Sequence, residues 1–241
     1  MRRFFAPQNS FSDGTVTLDE SETRHLRDVL RLRVGDEANV FDGAGREFLC
    51  RIETIERSRA LLRIVSEVTP AAPESDLGLT LAVAVTKGEK FDLVIQKMVE
   101  LGVRRLVPLI TRRCDVKIAD PAKRLERWQR IALEASKQCG RAQLMSIGNP
   151  TDLSRFFEES NDVHSLRLFF SERGGEAFPA SIETKNVIAV IGPEGGWDDA
   201  EIDLARGSGY AVVTLGGRIL RAETAAISVA AILQHRFGDL K

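Results

Sequence analysis

Ile191-Gly192-Pro193-Glu194-Gly195-Gly196-Trp197-Asp198-Asp199-Ala200-Glu201 sets three glycines between an apolar run and a helix start. The apolar run at 187–191 ahead of it has the composition of a strand buried on both faces. Asp198 and Glu201 stand at capping-box spacing, which predicts a helix over about 200–206. Strand, glycine loop and helix therefore follow one another directly. The pattern recurs at Leu215-Gly216-Gly217-Arg218-Ile219-Leu220-Arg221-Ala222-Glu223-Thr224-Ala225, between a strand at 211–215 and a helix at 222–237. Working outward, residues 77–86 (LGLTLAVAVT), 105–110 and 166–170 read as further buried strands. Phe91, Val94, Ile95, Met98 and Leu101 step at helical intervals up to Gly102, and 121–139 reads as a long helix. Such alternation predicts an α/β domain with a mostly parallel sheet. Ligands bind at the carboxyl ends of such strands, so the loops after Phe170, Ile191 and Leu215 are the expected site.

Residues 1–68 have a different rhythm. Short alternating strands at 15–18, 38–41, 46–55 and 59–68, a turn at 42–45 and one helix over 19–30 predict a small β-barrel. The stretch 69–76, with two prolines and no periodicity, reads as a linker, leaving 77–241 as the second domain.

The 241 residues carry a net charge of −1, with 43% apolar and 29% charged residues, which excludes global disorder. No apolar run reaches the length of a membrane span, and Met1-Arg2-Arg3-Phe4-Phe5-Ala6-Pro7 lacks a signal-peptide core. Cys50, Cys114 and Cys139 are odd in number and form no CxxC pair, as expected of idle thiols in a reducing, cytoplasmic compartment. His25, His164 and His235 are scattered, and no metal site is expected. Charge is segregated, however. From Arg104 to Arg141 eleven cations face four acids, a net +7 suited to a polyanion or to a solvated helix face.

The two glycine loops lack the Gly-Lys-Ser/Thr of a phosphate loop and the GxGxxG of a dinucleotide fold. Glycine lets backbone approach a ligand or turn tightly; either use fits the spacing. Arg218 and Arg221 suit a phosphate, a carboxylate or a developing oxyanion, and Glu223 at a helix start is stabilised as an anion. These loops predict a small-molecule site without naming its ligand.

Together, IGPEGG (191–196) and LGGRILRAETA (215–225) resemble the knotted SPOUT class of S-adenosylmethionine-dependent RNA methyltransferases. HLRDVLRLRVGDEANVFDGAG (25–45), KGEKFDLVIQKMVELGV (87–103), PLITRRC (108–114), EASKQCGR (134–141) and RFGDL (236–240) narrow the resemblance to the RsmE family, over nearly the whole chain. Lys137, where many members carry an acid, and Gly217, where many carry proline, depart from its pattern. The resemblance implies an N-terminal PUA-like barrel, a C-terminal α/β domain tied in a deep trefoil knot, and a homodimer. It implies methylation of N3 of a uridine in 16S ribosomal RNA, in the decoding region of the small subunit. Phe170, Ser171, Ile191, Gly192, Glu194, Gly195, Gly196, Leu215, Gly216, Ile219 and Leu220 would then hold S-adenosylmethionine. Arg221, Glu223 and Arg218 would act in the chemistry, with Glu223 or Glu194 the candidate base. Arg2, Arg3, Arg27, Arg31, Arg33, Arg112, Arg113, Lys137 and Arg141 are the expected RNA contacts. A non-catalytic ribosome-assembly factor is the competing reading, separated by whether the cofactor binds.

Overall fold

A computed structural model describes residues 2–114, 116, 118–160, 162–178 and 183–241. Asp115 and Lys117 of the basic segment lie outside the described residues. The chain divides into two compact units: residues up to Glu74 together with Leu133–Leu144, and Ser75–Ala132 together with Met145–Lys241.

The first unit carries a six-stranded sheet in the order β1-β4-β5-β6-β3-β2. Its strands are β1 (Arg3–Phe5), β2 (Phe11–Ser12), β3 (Thr15–Leu18), β4 (Glu37–Phe41), β5 (Glu47–Ile55) and β6 (Ala60–Val68). β1 and β4 run parallel and the other pairs antiparallel. Among the described residues, no ladder joins β1 to β2 to close a barrel. Alternation puts Val16, Leu18, Val40, Cys50, Ile52 and Leu62 into one core with Phe4 and Leu26. The expected helix is α1 (Glu20–Arg24), capped by the Asp19 carboxylate on Glu22 N–H at 2.8 Å, and it continues as one π-turn over His25–Val29. The wider turn buries Leu26 while leaving Val29 exposed.

Leu133–Leu144 belongs with this unit because of its ion pairs. Arg3 is 2% exposed, pairs with Glu47 at 3.0 Å, and donates to the carbonyls of Ser136 and Arg141 at 2.8 Å. Lys137 pairs with Glu22, and Arg141 with Glu74 at 2.8 Å. Burial raises the Glu22 carboxyl above its ordinary value, while Glu22 and Glu134 hold Lys137 above its own against burial. The structure therefore corrects the expectation that Arg3, Lys137 and Arg141 meet RNA: each is sealed in an internal ion pair. Arg2, Arg31 and Arg33 are exposed, and Arg27 is half-buried, paired with Asp28.

The second unit holds a parallel sheet in the order β10-β8-β7-β12-β11-β13, with β9 also on β8. Its strands are β7 (Gly78–Ala84), β8 (Arg105–Ile110), β9 (Ser146–Ile147), β10 (Thr151–Asp152), β11 (Leu166–Phe170), β12 (Asn186–Ile191) and β13 (Ala211–Val213). Pro108 cannot donate to a ladder, and the edge of β8 is covered on either side of it: β9 pairs Arg105 and Leu106, β10 pairs Leu109 and Ile110. Helices α2 (Lys90–Glu100), α3 (Pro121–Cys139), α4 (Leu153–Glu159), α5 (Asp199–Gly207) and α6 (Ala222–Phe237) complete the chain. The last turns of α3 count with the first unit. One core joins Ala82, Leu109, Phe156, Phe169, Val190 and Trp197. Although β12 follows β11 in sequence, it lies between β7 and β11, and β13 takes the far side of β11. No helix of the described residues is long and apolar enough to cross a membrane.

Burial pushes the Cys50 thiol up to about 12. Alkylation of the folded protein with iodoacetamide at pH 8 should therefore spare Cys50, which should react only after denaturation; mass spectrometry of the labelled peptides checks this.

Candidate active site

An open cavity of about 90 Å³ lies at the carboxyl ends of β11, β12 and β13. Phe170, Ser171 and Glu172 supply the end of β11, and Ile191, Gly192 and Pro193 the end of β12. The loop after β13 contributes Leu215, Arg218, Ile219 and Leu220. Ala222, Ala225 and Val229 form the α6 wall, small residues at helical spacing that leave room beside the helix. The cavity is mostly apolar with few polar groups, the usual make-up of a small-molecule site.

Trp197 fixes the loop after β12. Its ring is buried against Phe169, with centroids 4.3 Å apart, and its indole N–H donates to the Phe170 carbonyl at 2.8 Å. A Cβ on Gly192 would stand 2.8 Å from the Trp197 ring, so this glycine serves the tryptophan. Gly196 adopts φ +68° and closes a turn onto the Pro193 carbonyl at 3.0 Å. Asp198 caps α5, and Glu201 completes the capping box. The buried Glu201 carboxylate also accepts from the Arg112 N–H at 3.0 Å, tying the loop to the end of β8. Arg112 pairs with Asp198 at 3.1 Å, and Arg113 donates to the Gly195 carbonyl at 3.3 Å. Lys90 pairs with Glu194. Arg173 donates to the Trp197 carbonyl at 2.9 Å and, by its bond to Asp199, holds that carboxyl below its ordinary value.

The loop after β13 is open by contrast. Ile219 is 88% exposed, and neither Arg218 nor Arg221 forms an ion pair among the described residues. Arg221 is the N-cap residue of α6. Glu223 sits in the first turn, half-buried, and its Oε2 is sealed from solvent without a hydrogen-bond partner. No Arg221–Glu223 pair holds the loop among the described residues. Nor do those residues contain a group of three His, Cys, Asp or Glu side chains able to hold a metal.

Comparison with known proteins places this geometry in a family. Residues 73–234 match an RNA methyltransferase domain and residues 18–65 an RNA methyltransferase PUA domain. The ribosomal RNA small subunit methyltransferase E of Synechocystis sp. is 38% identical over 88% of this chain and 70% of its own length. The same-named protein of Aquifex aeolicus is 32% identical over 91% and 94%. The crystal structure of the Neisseria gonorrhoeae methyltransferase E bound to S-adenosylmethionine superposes with a TM-score of 0.91 at 34% identity, covering all of both chains. A putative methyltransferase of Legionella pneumophila in complex with the same cofactor gives 0.89 at 36%, over 99% of both. The chain belongs to the ribosomal RNA small subunit methyltransferase E family. Its first unit carries the PUA-like domain of that family, its second the α/β domain.

In this chain, Phe170, Ser171, Ile191, Gly192, Leu215, Ile219, Leu220 and Arg218 come together in the cavity wall. Glu194, Gly195, Gly196 and Gly216 shape the adjoining loops without lining it, and Arg221 and Glu223 also stand outside the lining. Arg112 and Arg113 brace the β12 loop from the end of β8. Sequence reasoning missed Trp197, Pro193 and the Ala222, Ala225 and Val229 wall. The helical spacing of those small residues was the available signal, and Trp197 stood inside the quoted motif.

Gly192→Ala should force Trp197 off Phe170 and destabilise the second unit by about 1–3 kcal/mol. Chemical denaturation followed by tryptophan fluorescence measures it.

Proposed function

We propose that this chain methylates N3 of one uridine in 16S ribosomal RNA, in the decoding region of the small subunit, as a knotted homodimer. It is an rRNA methyltransferase by family, and S-adenosylmethionine is the cofactor its relatives' structures carry. The observation that carries the reading is the cavity at the ends of β11, β12 and β13, with unpaired cations and a partnerless carboxylate beside it. An apolar wall of Ile191, Leu215, Leu220 and Val229 suits an adenine ring, and the end of β11 at Phe170 and Ser171 offers polar atoms beside it. When bound, S-adenosylmethionine supplies an electrophilic methyl group. Support for the knot comes from the insertion of β12 between β7 and β11, and from Glu176, which pairs with the edge of β13. The PUA-like unit, with Arg2, Arg27, Arg31 and Arg33, would bind RNA, and the target base would leave its stack to expose N3.

Uridine N3 holds a proton and is a poor nucleophile until that proton leaves. Arg218 in the wall and Arg221 at the start of α6 would stabilise negative charge spreading onto the flanking carbonyl oxygens. Glu223 would take the proton at its carboxylate, where the N-terminus of α6 favours an anion. Glu194 suits that role less, since Lys90 already holds it. Arg112 and Arg113 are exposed enough to meet phosphate while bracing the loop.

The test is transfer of labelled methyl from S-adenosylmethionine to small subunits lacking the modification, with the product nucleoside identified by mass spectrometry. N3-methyluridine at one position is the expected result. Label on another atom or base overturns the assignment. Glu223→Gln should lower kcat by about 10²–10⁴-fold with cofactor affinity unchanged, as loss of a general base does. A variant with the full rate removes Glu223 from the chemistry.

A further inference from the structure

We infer that the outer face of α3 in the second unit is a phosphate-backbone groove for RNA, separate from the methyl-transfer cavity. Lys123, Arg124, Arg127 and Arg130 line an open groove there, against two acids, Asp120 and Glu126. Lys123, Arg127 and Arg130 recur at intervals of four and three, so they share a face over about 10 Å of helix axis. Elsewhere on the surface, arginines such as Arg59, Arg63 and Arg155 are matched to carboxylates. In the groove only Arg127 is, through Asp92 of α2; Lys123, Arg124 and Arg130 have no ion pair among the described residues.

A second observation marks the same place. Arg124 Nε and Trp128 Nε1 are shielded from solvent and lack acceptors. They lie one turn apart, with the guanidinium 5.6 Å from the Trp128 ring centroid. Of the two unmet donors only Arg124 lines the groove, beside cations without ion pairs among the described residues, and an oxygen acceptor carrying negative charge suits both. Phosphodiester oxygens meet both demands. Trp128 is fully buried, and no aromatic ring lines the groove among the described residues, so those residues offer no base-stacking platform. Contacts of this kind follow the RNA backbone without reading its sequence.

The inference rests on the rRNA methyltransferase reading, with RNA as the ligand, and relocates part of the basic segment's role. Lys137 and Arg141 at its C-terminal end are consumed by internal pairs, whereas Lys123, Arg124 and Arg130 in its middle carry no ion pair among the described residues. Binding of a small-subunit rRNA transcript should be measured against salt for the full-length protein, for Lys123→Ala/Arg130→Ala, and for Arg155→Ala. The double variant should lower the magnitude of the log K against log salt slope by about 1.4–1.8, for two lost phosphate contacts. Its affinity for S-adenosylmethionine and its melting temperature should match the parent, which excludes misfolding. Arg155→Ala should bind as the parent does. A double variant with the parent's slope and affinity overturns the groove alone. A parent protein that binds the cofactor but no rRNA overturns the groove together with the RNA reading.

Discussion

The hydrogen bond from the Trp197 indole to the Phe170 carbonyl is the contact on which the candidate site depends. Phe170 ends one strand and Trp197 belongs to the loop after the next, so this bond sets the distance between two walls of the cavity. Burying so large a side chain supplies the free energy to hold an otherwise irregular segment, and its polar edge must then find an acceptor. The cost falls on Gly192, where a methyl group has no space. Around this bond stand Glu201, which joins two backbone N–H groups from different segments, and Arg173, which holds the Trp197 carbonyl. Rigidity is thus concentrated on the β12 side. In the loop after β13, neither Arg218 nor Arg221 forms a comparable ion pair among the described residues, and Ile219 is exposed.

Charge in this protein divides by partner. Arg3, Lys137 and Arg141 lie within two stretches of sequence that look equally basic to their neighbours, yet each is buried against a carboxylate. A buried cation is stable only with its charge and hydrogen bonds met. Here Glu22 lies 115 residues from Lys137, Glu74 lies 67 from Arg141, the carbonyls that Arg3 reaches are 133 and 138 residues from it, and only Glu47, 44 residues away, is nearer. No local pattern announces such pairs. Composition therefore located the basic segment correctly, but could not say which members were spent on folding.

Legibility followed the physics of each element. β8, β11, α3 and α6 lie where the sequence predicted them, because a strand covered on both faces is an unbroken apolar run and an amphipathic helix repeats every three to four residues. β9 and β10 escaped notice, each two residues long and existing only to cover β8 on either side of Pro108. α4 escaped too, although Asp152 caps it, because seven residues are too few for periodicity to speak. The insertion of β12 between β7 and β11 is a long-range choice that no local signal encodes. Of the site, the loop glycines and apolar residues were readable from the motif pair, whereas the reason for Gly192 required the tryptophan five residues on.

Glu223 illustrates how an apparent defect supports the proposed chemistry. A buried acceptor without a donor costs about 1–3 kcal/mol, and replacing such a carboxylate with an apolar group would remove that cost. The first turn of α6 offsets part of it, since free backbone N–H groups there favour negative charge. What remains is a carboxylate oxygen whose hydrogen-bonding capacity is unspent among the described residues. A general base must be in that condition: an acceptor already committed to a strong donor, as Glu194 is to Lys90, has to give up that bond before it can take a proton. Arg221, the N-cap of the same helix, forms no salt bridge with it among the described residues. The two residues are two apart in sequence but act, on this reading, on different atoms of one uracil ring.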